Sequence, residues 1–107
     1  MTSSMNCSRN DVVLLPIPFT DLTSRKVRPA VVIGRNENGL FLVPISSVLA
    51  NTNFLIQDWK AAGLNVPSGI KAQLATVEEK LVVKIVGKLI GADSKILDSK
   101  LRNWLKL

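Results

Sequence analysis

In the segment 11–33, DVVLLPIPFTDLTSRKVRPAVVI, two apolar strand-like runs bracket a polar, basic loop that ends in Arg28-Pro29. In the second run the β-branched series Val31-Val32-Ile33 favours an extended, buried strand, and Pro29 fixes the backbone that enters it. Pro29 also pushes Arg28 towards an extended conformation. A side chain launched from the residue before a core strand has less freedom than one on a mobile loop, so its guanidinium can be aimed at a carboxylate or a phosphate. The competing reading is an arginine that decorates a loop.

The rest of the chain reads as further short strands. Those predicted are 11–16, 30–34, 40–44, 54–57, 71–76 and 81–87, with turn signals at 36–39, 62–69 and 78–80. Several short strands with modest loops suggest a compact barrel. The final segment changes period: Ile96, Leu97, Leu101, Trp104 and Leu105 fall on one helical face, with Asp93 as N-cap and Arg102 and Lys106 near the C-terminal end. An amphipathic helix lying on the barrel is the expectation, with Trp104 as core packing.

At 107 residues the chain is expected to hold one domain, 10–107, behind a disordered tail, 1–9. The formal net charge of +6 favours a polyanion as partner. A single cysteine, Cys7, and no histidine leave neither a disulfide framework nor a Cys/His metal site, so no cofactor is expected. A hydrolase built on bound zinc or an imidazole base is largely excluded on the same ground. No run approaches the ~20 apolar residues of a membrane span, and the opening MTSSMNCSRN lacks the apolar middle of a secretory signal. A cytoplasmic protein is expected.

Several pieces carry a family resemblance: Asp11-Val12-Val13, Pro18-Phe19-Thr20-Asp21-Leu22, Lys26-Val27-Arg28-Pro29-Ala30-Val31-Val32, and Val43-Pro44-Ile45-Ser46-Ser47. Asp58, Ala62-Gly63-Leu64, Pro67-Ser68, Leu74-Ala75-Thr76, the run IVGKL that ends at Leu89, and Asp93 follow in order. In these residues the chain resembles the PemK/MazF family of toxin endoribonucleases over nearly its whole length. The resemblance implies a mainly β fold, an SH3-like small β-barrel with a C-terminal α-helix, assembled as a homodimer whose grooves bind RNA. It further implies a metal-independent, sequence-selective endoribonuclease that cuts single-stranded mRNA and leaves a 2′,3′-cyclic phosphate. Its partners would be a cognate antitoxin with an acidic segment and, as the toxin–antitoxin complex, operator DNA.

Such chemistry asks little of the protein, because the ribose 2′-hydroxyl is the nucleophile and the site must mainly align it and stabilise charge on phosphorus. Carried over by the resemblance, Arg28 stabilises the phosphate and Ser46 offers a hydroxyl where relatives usually have threonine. Asp21 is the nearest candidate for a base. Ser46 could equally be a strand-end turn residue, and Asp21 a turn cap. Arg25, Lys26 and Arg35 would form a basic rim for the RNA backbone, with Ser47 and Lys71 as further contacts; a solvated charged loop is the plainer alternative. Phe19 could stack on a base or anchor the loop, and Trp59 could lie at a dimer interface or pack on the surface.

The chain departs from the family where Thr23 and Ser24 are neutral, where Lys71 stands for arginine, and where Gln73 stands for an acid. Lysine keeps the charge but loses the bidentate fork. A non-catalytic module that binds nucleic acid or a protein, such as a topoisomerase poison on the same barrel, is the alternative function.

Overall fold

A computed structural model describes residues 6–16 and 26–107. Expectations that fall on Phe19, Asp21, Thr23, Ser24 and Arg25 lie outside the described residues. The strands are β1 (Asp11–Pro16), β2 (Val27–Asn36), β3 (Gly39–Ser46), β4 (Phe54–Leu55), β5 (Gly69–Ile70), β6 (Ala75–Val77) and β7 (Lys84–Lys88), and one helix, α1 (Gly91–Leu105), follows them. They form a single antiparallel sheet in the order β4-β5-β3-β2-β1-β7, with β6 also on β3. The pairing path does not close on itself, so the fold is a small, barrel-like β structure with a C-terminal helix, as expected.

Both faces of the central strands are buried, which is why their sequences are nearly continuous apolar runs and not alternating ones. Val12, Val31, Val43 and Ile45 pack with Leu97 and Leu101 of α1 in one cluster. Their strand neighbours Val13, Ala30, Val32 and Leu42 point the other way, into a second cluster with Leu15, Leu40, Val82 and Cys7. Residues 6–10, part of the expected tail and its junction, are drawn against this second cluster. Cys7 is buried, its amide donates to Glu79 at 2.8 Å, and the Asn10 amide donates to the Val32 carbonyl at 2.7 Å.

The predicted strand 71–76 is two pieces. On one side of β3, Ile70 pairs with Ile45 and Ala75 with Leu42, so four residues of one chain face only Val43 and Pro44 of the other. Pro44 explains the break. Its carbonyl accepts from the Lys71 amide at 3.0 Å, and because a strand residue directs its N–H and C=O to the same side, the N–H that proline lacks would have pointed at the segment that bulges away. The predicted start of the last strand also moves. Residues 79–81 form a 3₁₀ turn, and β7 begins only at Lys84.

Helix α1 starts at Gly91, and its N-cap position is Ile90, which makes no side-chain cap bond. Asp93 is therefore not the N-cap but lies within the first turn, buried, with its carboxylate directed elsewhere. Leu97 and Leu101 are the buried centre of the apolar face, and Trp104 meets Phe54 with ring centroids 6.4 Å apart. Leu105, expected on that face, is 47% exposed.

Candidate active site

β1 ends, β2 begins and β3 ends at one end of the sheet, and there the antiparallel register sets Arg28 beside Leu15 of β1. Ala30 pairs with Pro44. Arg28 lies two residues before Ala30 and Ser46 two residues after Pro44, just beyond the last pair of this ladder. Of the side chains the sequence singled out for catalysis, Asp21 is outside the described residues, while Arg28 and Ser46 lie at the same end of the sheet, Arg28 followed by Pro29.

Both line a cavity of about 340 Å³. Its lining combines Leu14, Pro29 and Ile45, the strand end Ser46 with Ser47 and Val48, a wall segment of Gly63 to Val66 with Ser68, and Val86 of β7. The described lining residues include no aspartate or glutamate, and no described carboxylate pairs with Arg28, which is exposed at the rim. A single guanidinium in a mostly apolar recess attracts an anion.

Ser46 serves the turn as well as the pocket. Its hydroxyl oxygen accepts the Val48 amide at 3.0 Å, the turn role foreseen for it. That bond fixes the oxygen and leaves the O–H proton free to donate. A threonine would do the same.

The wall segment owes its place to two glycines. Gly63 has φ +87°, and a Cβ there would lie 2.2 Å from the Val86 carbonyl oxygen; a Cβ on Gly87 would lie 2.3 Å from the Ala62 carbonyl oxygen. Backbone therefore rests directly on backbone, carrying Leu64, Asn65 and Val66 to the cavity. By sequence Ala62-Gly63-Leu64 and Pro67-Ser68 are family pieces within a turn signal, 62–69, with nothing to place them at the cavity; a glycine on each of two distant segments was the available signal.

Other expected contacts fall elsewhere. Lys26, exposed just before β2, and Lys71, half-buried after β5, are not among the residues that line the cavity. Trp59 packs partly buried against the core, with the Lys60 ammonium 5.4 Å from its ring centroid. Arg35 stands seven residues along β2 from Arg28, about 23 Å away at the usual strand rise. The structure does not bring it to the cavity. Its guanidinium donates to both oxygens of Glu79, at 2.7 and 3.0 Å, and to the Cys7 carbonyl at 2.7 Å.

This cluster has an acid-dependent consequence. Burial opposes the charge on Glu79, but the Cys7 amide and the Arg35 guanidinium outweigh it and hold the carboxyl below its usual 4.5. A depressed carboxyl stabilises the fold above the unfolded value and loses that contribution as pH falls through the folded one. Glu79→Gln should therefore cost about 1 kcal/mol at pH 7, a figure reduced by the solvent screening of the half-exposed Arg35. The difference from wild type should vanish as urea unfolding is moved below pH 4.5; a gap that stays constant with pH would refute the assignment.

A toxin-like architecture of this kind agrees with comparison to known proteins. Residues 8–105 match the family described as the PemK-like, MazF-like toxin of type II toxin-antitoxin system, and the chain belongs to that family. It is accordingly a toxin-family protein, and the family implies a cognate antitoxin. No curated protein matches the chain. Among the described residues no helix is long and apolar enough to cross a membrane, and no three His, Cys, Asp or Glu are grouped to hold a metal.

Proposed function

We propose that this toxin is a metal-independent endoribonuclease that cuts single-stranded mRNA at selected sequences. The observation that carries the reading is that Arg28 and Ser46 line one mostly apolar cavity. In the reaction the ribose 2′-oxygen attacks phosphorus, the bond to the 5′-oxygen breaks, and a 2′,3′-cyclic phosphate remains on the upstream product. The proton lost from the 2′-hydroxyl passes to a base, for which Asp21 is the candidate, and the departing 5′-oxygen takes up a proton from water. Arg28 neutralises the charge that builds on the non-bridging oxygens; a guanidinium is a poor proton donor and suits electrostatic stabilisation better than acid catalysis. Ser46 donates its hydroxyl proton to the same phosphate.

RNA approaches along the basic surface that Arg25, Lys26, Ser47 and Lys71 contribute, and Phe19 is the aromatic candidate for stacking. A homodimer would double the groove, the antitoxin would occupy it with an acidic segment, and the complex would bind operator DNA. A cytoplasmic setting fits mRNA as substrate. One observation favours a second reading: the described cavity residues include no titratable base, as expected of a module that binds without cutting.

Incubation of purified protein with a long unstructured RNA in excess EDTA, mapped by primer extension, separates the two. Discrete cuts support the nuclease, whereas intact RNA with folded protein supports the binding module. In the same assay Ser46→Ala should cut about ten times more slowly and Ser46→Thr at close to the wild-type rate. Wild-type cleavage by Ser46→Ala would leave Ser46 with the turn role alone.

A further inference from the structure

Asp93 is the third residue of α1, away from the cavity lining, and only 2% exposed. Its two carboxylate oxygens accept from two successive backbone amides, those of Gln57 and Asp58, each at 2.8 Å. Those amides open the segment that becomes the cavity wall. From there the chain makes a tight turn, with the Ala62 amide on the Asp58 carbonyl at 3.2 Å and the Leu64 amide on the Trp59 carbonyl at 3.0 Å. The turn delivers Gly63 to its seat on β7 and Leu64 into the cavity.

We infer that Asp93 is a positioning residue for the Arg28 cavity: by clamping the entry of the 57–64 turn it sets where the wall segment of that cavity stands. A buried carboxylate with two amide donors is a strong anchor, since each bond is charge-assisted and both oxygens are used. Gln57 and Asp58 precede the turn, so their amides have no bond within it and need a partner from another element. Asparagine cannot replace the clamp: it presents one carbonyl oxygen and one NH₂ group, and the second would confront an amide donor. Substrate grip and the chemistry then separate. Arg28 and Ser46 stand on β2 and β3 whatever the turn does, whereas Leu64 and its neighbours move with it.

The functional half of the inference rests on the nuclease reading, and the test keeps the two apart. Amide hydrogen exchange by NMR and RNA cleavage are measured for the wild type, Asp93→Asn and Asp98→Asn. Asp98 lies on the same helix, with exposed ion pairs to Arg9 and Arg102. In Asp93→Asn, the amides of Ala62, Gly63 and Leu64 should exchange at least about ten-fold faster while those of β2 and β3 keep their protection. KM for RNA should rise about ten-fold with kcat changed less, and Asp98→Asn should match the wild type throughout.

Unchanged exchange at Ala62 to Leu64 would overturn the positioning role, as would equal effects from Asp98→Asn. Faster exchange with an unaltered KM would overturn its link to substrate. If the wild type cuts no RNA, the nuclease reading fails and the exchange data alone decide whether Asp93 holds the wall. Should Asp93→Asn lose protection in β2 and β3 as well, Asp93→Glu, which keeps both oxygens but shifts them by a methylene, is judged by the same criteria.

Discussion

Arg28→Ala is expected to lower RNA cleavage by about 10² to 10³-fold while leaving the denaturant midpoint unchanged. On the proposed nuclease reading, the size follows from removing a preorganised charge at the place where the phosphorane would gather negative charge. The stability follows from the position: Arg28 is exposed at the second residue of β2, and no described carboxylate loses a partner when it goes. Arg28→Lys should fall between, because an ammonium keeps the charge but cannot bind two phosphate oxygens through a planar fork. Primer-extension mapping beside a urea titration checks both halves. Full cleavage by a folded Arg28→Ala protein would move the chemistry away from this cavity.

The second large effect is at Gly87. Its substitution by alanine should cost about 3 kcal/mol, since the new methyl meets the Ala62 carbonyl oxygen at 2.3 Å and its carbon at 2.4 Å. Backbone on both sides cannot step aside as a flexible side chain could. The 57–64 turn must lift from β7, taking the cavity wall with it, so cleavage should fall together with stability. Gly34→Ala is the control, because its Cβ would meet only the Phe41 ring, at the ordinary distance of 3.5 Å. Urea unfolding of the two variants decides the matter. Equal midpoints would mean that the two backbones are not pressed together.

What the sequence could reveal divides along physical lines. β1 was legible to the residue, and so was the turn between β2 and β3. The neighbourhoods of Arg28 and Ser46 were legible because proline and β-branched residues act locally, but β2 runs from Val27 to Asn36 and not over 30–34, so Arg28 lies inside the strand and not before it, and Ser46 is the last residue of β3 and not the one after it. Pairing across the sheet was less so. Pro44 reads as an ordinary strand residue until its partner segment is known, and only then does it account for the split of 71–76 into β5 and β6.

Charged residues were hardest to place. Arg35 and Arg28 look alike in a basic stretch, yet one is engaged by Glu79 and the Cys7 carbonyl, and the other is left at a cavity rim. Asp93 matched a helix start by its local pattern, while its bonds lie 35 and 36 residues away in the chain. Cys7 was taken for part of a polar tail because its neighbours are polar; it is buried among Val13, Leu15, Leu40 and Val82 and its amide is held by Glu79, partners that no local rule connects to it.

The cavity draws on β1, β2, β3, the 63–68 stretch and β7, so that Leu14 and Val86 close on it from opposite ends of the sequence. Assembly order follows from this. During synthesis Arg28 and Ser46 leave the ribosome early, but they face open water until β7 has paired with β1 and the turn has settled on Gly87. Contacts of such long range form late in folding. The recess beside Arg28 is therefore complete only once the last strand of the sheet is in place.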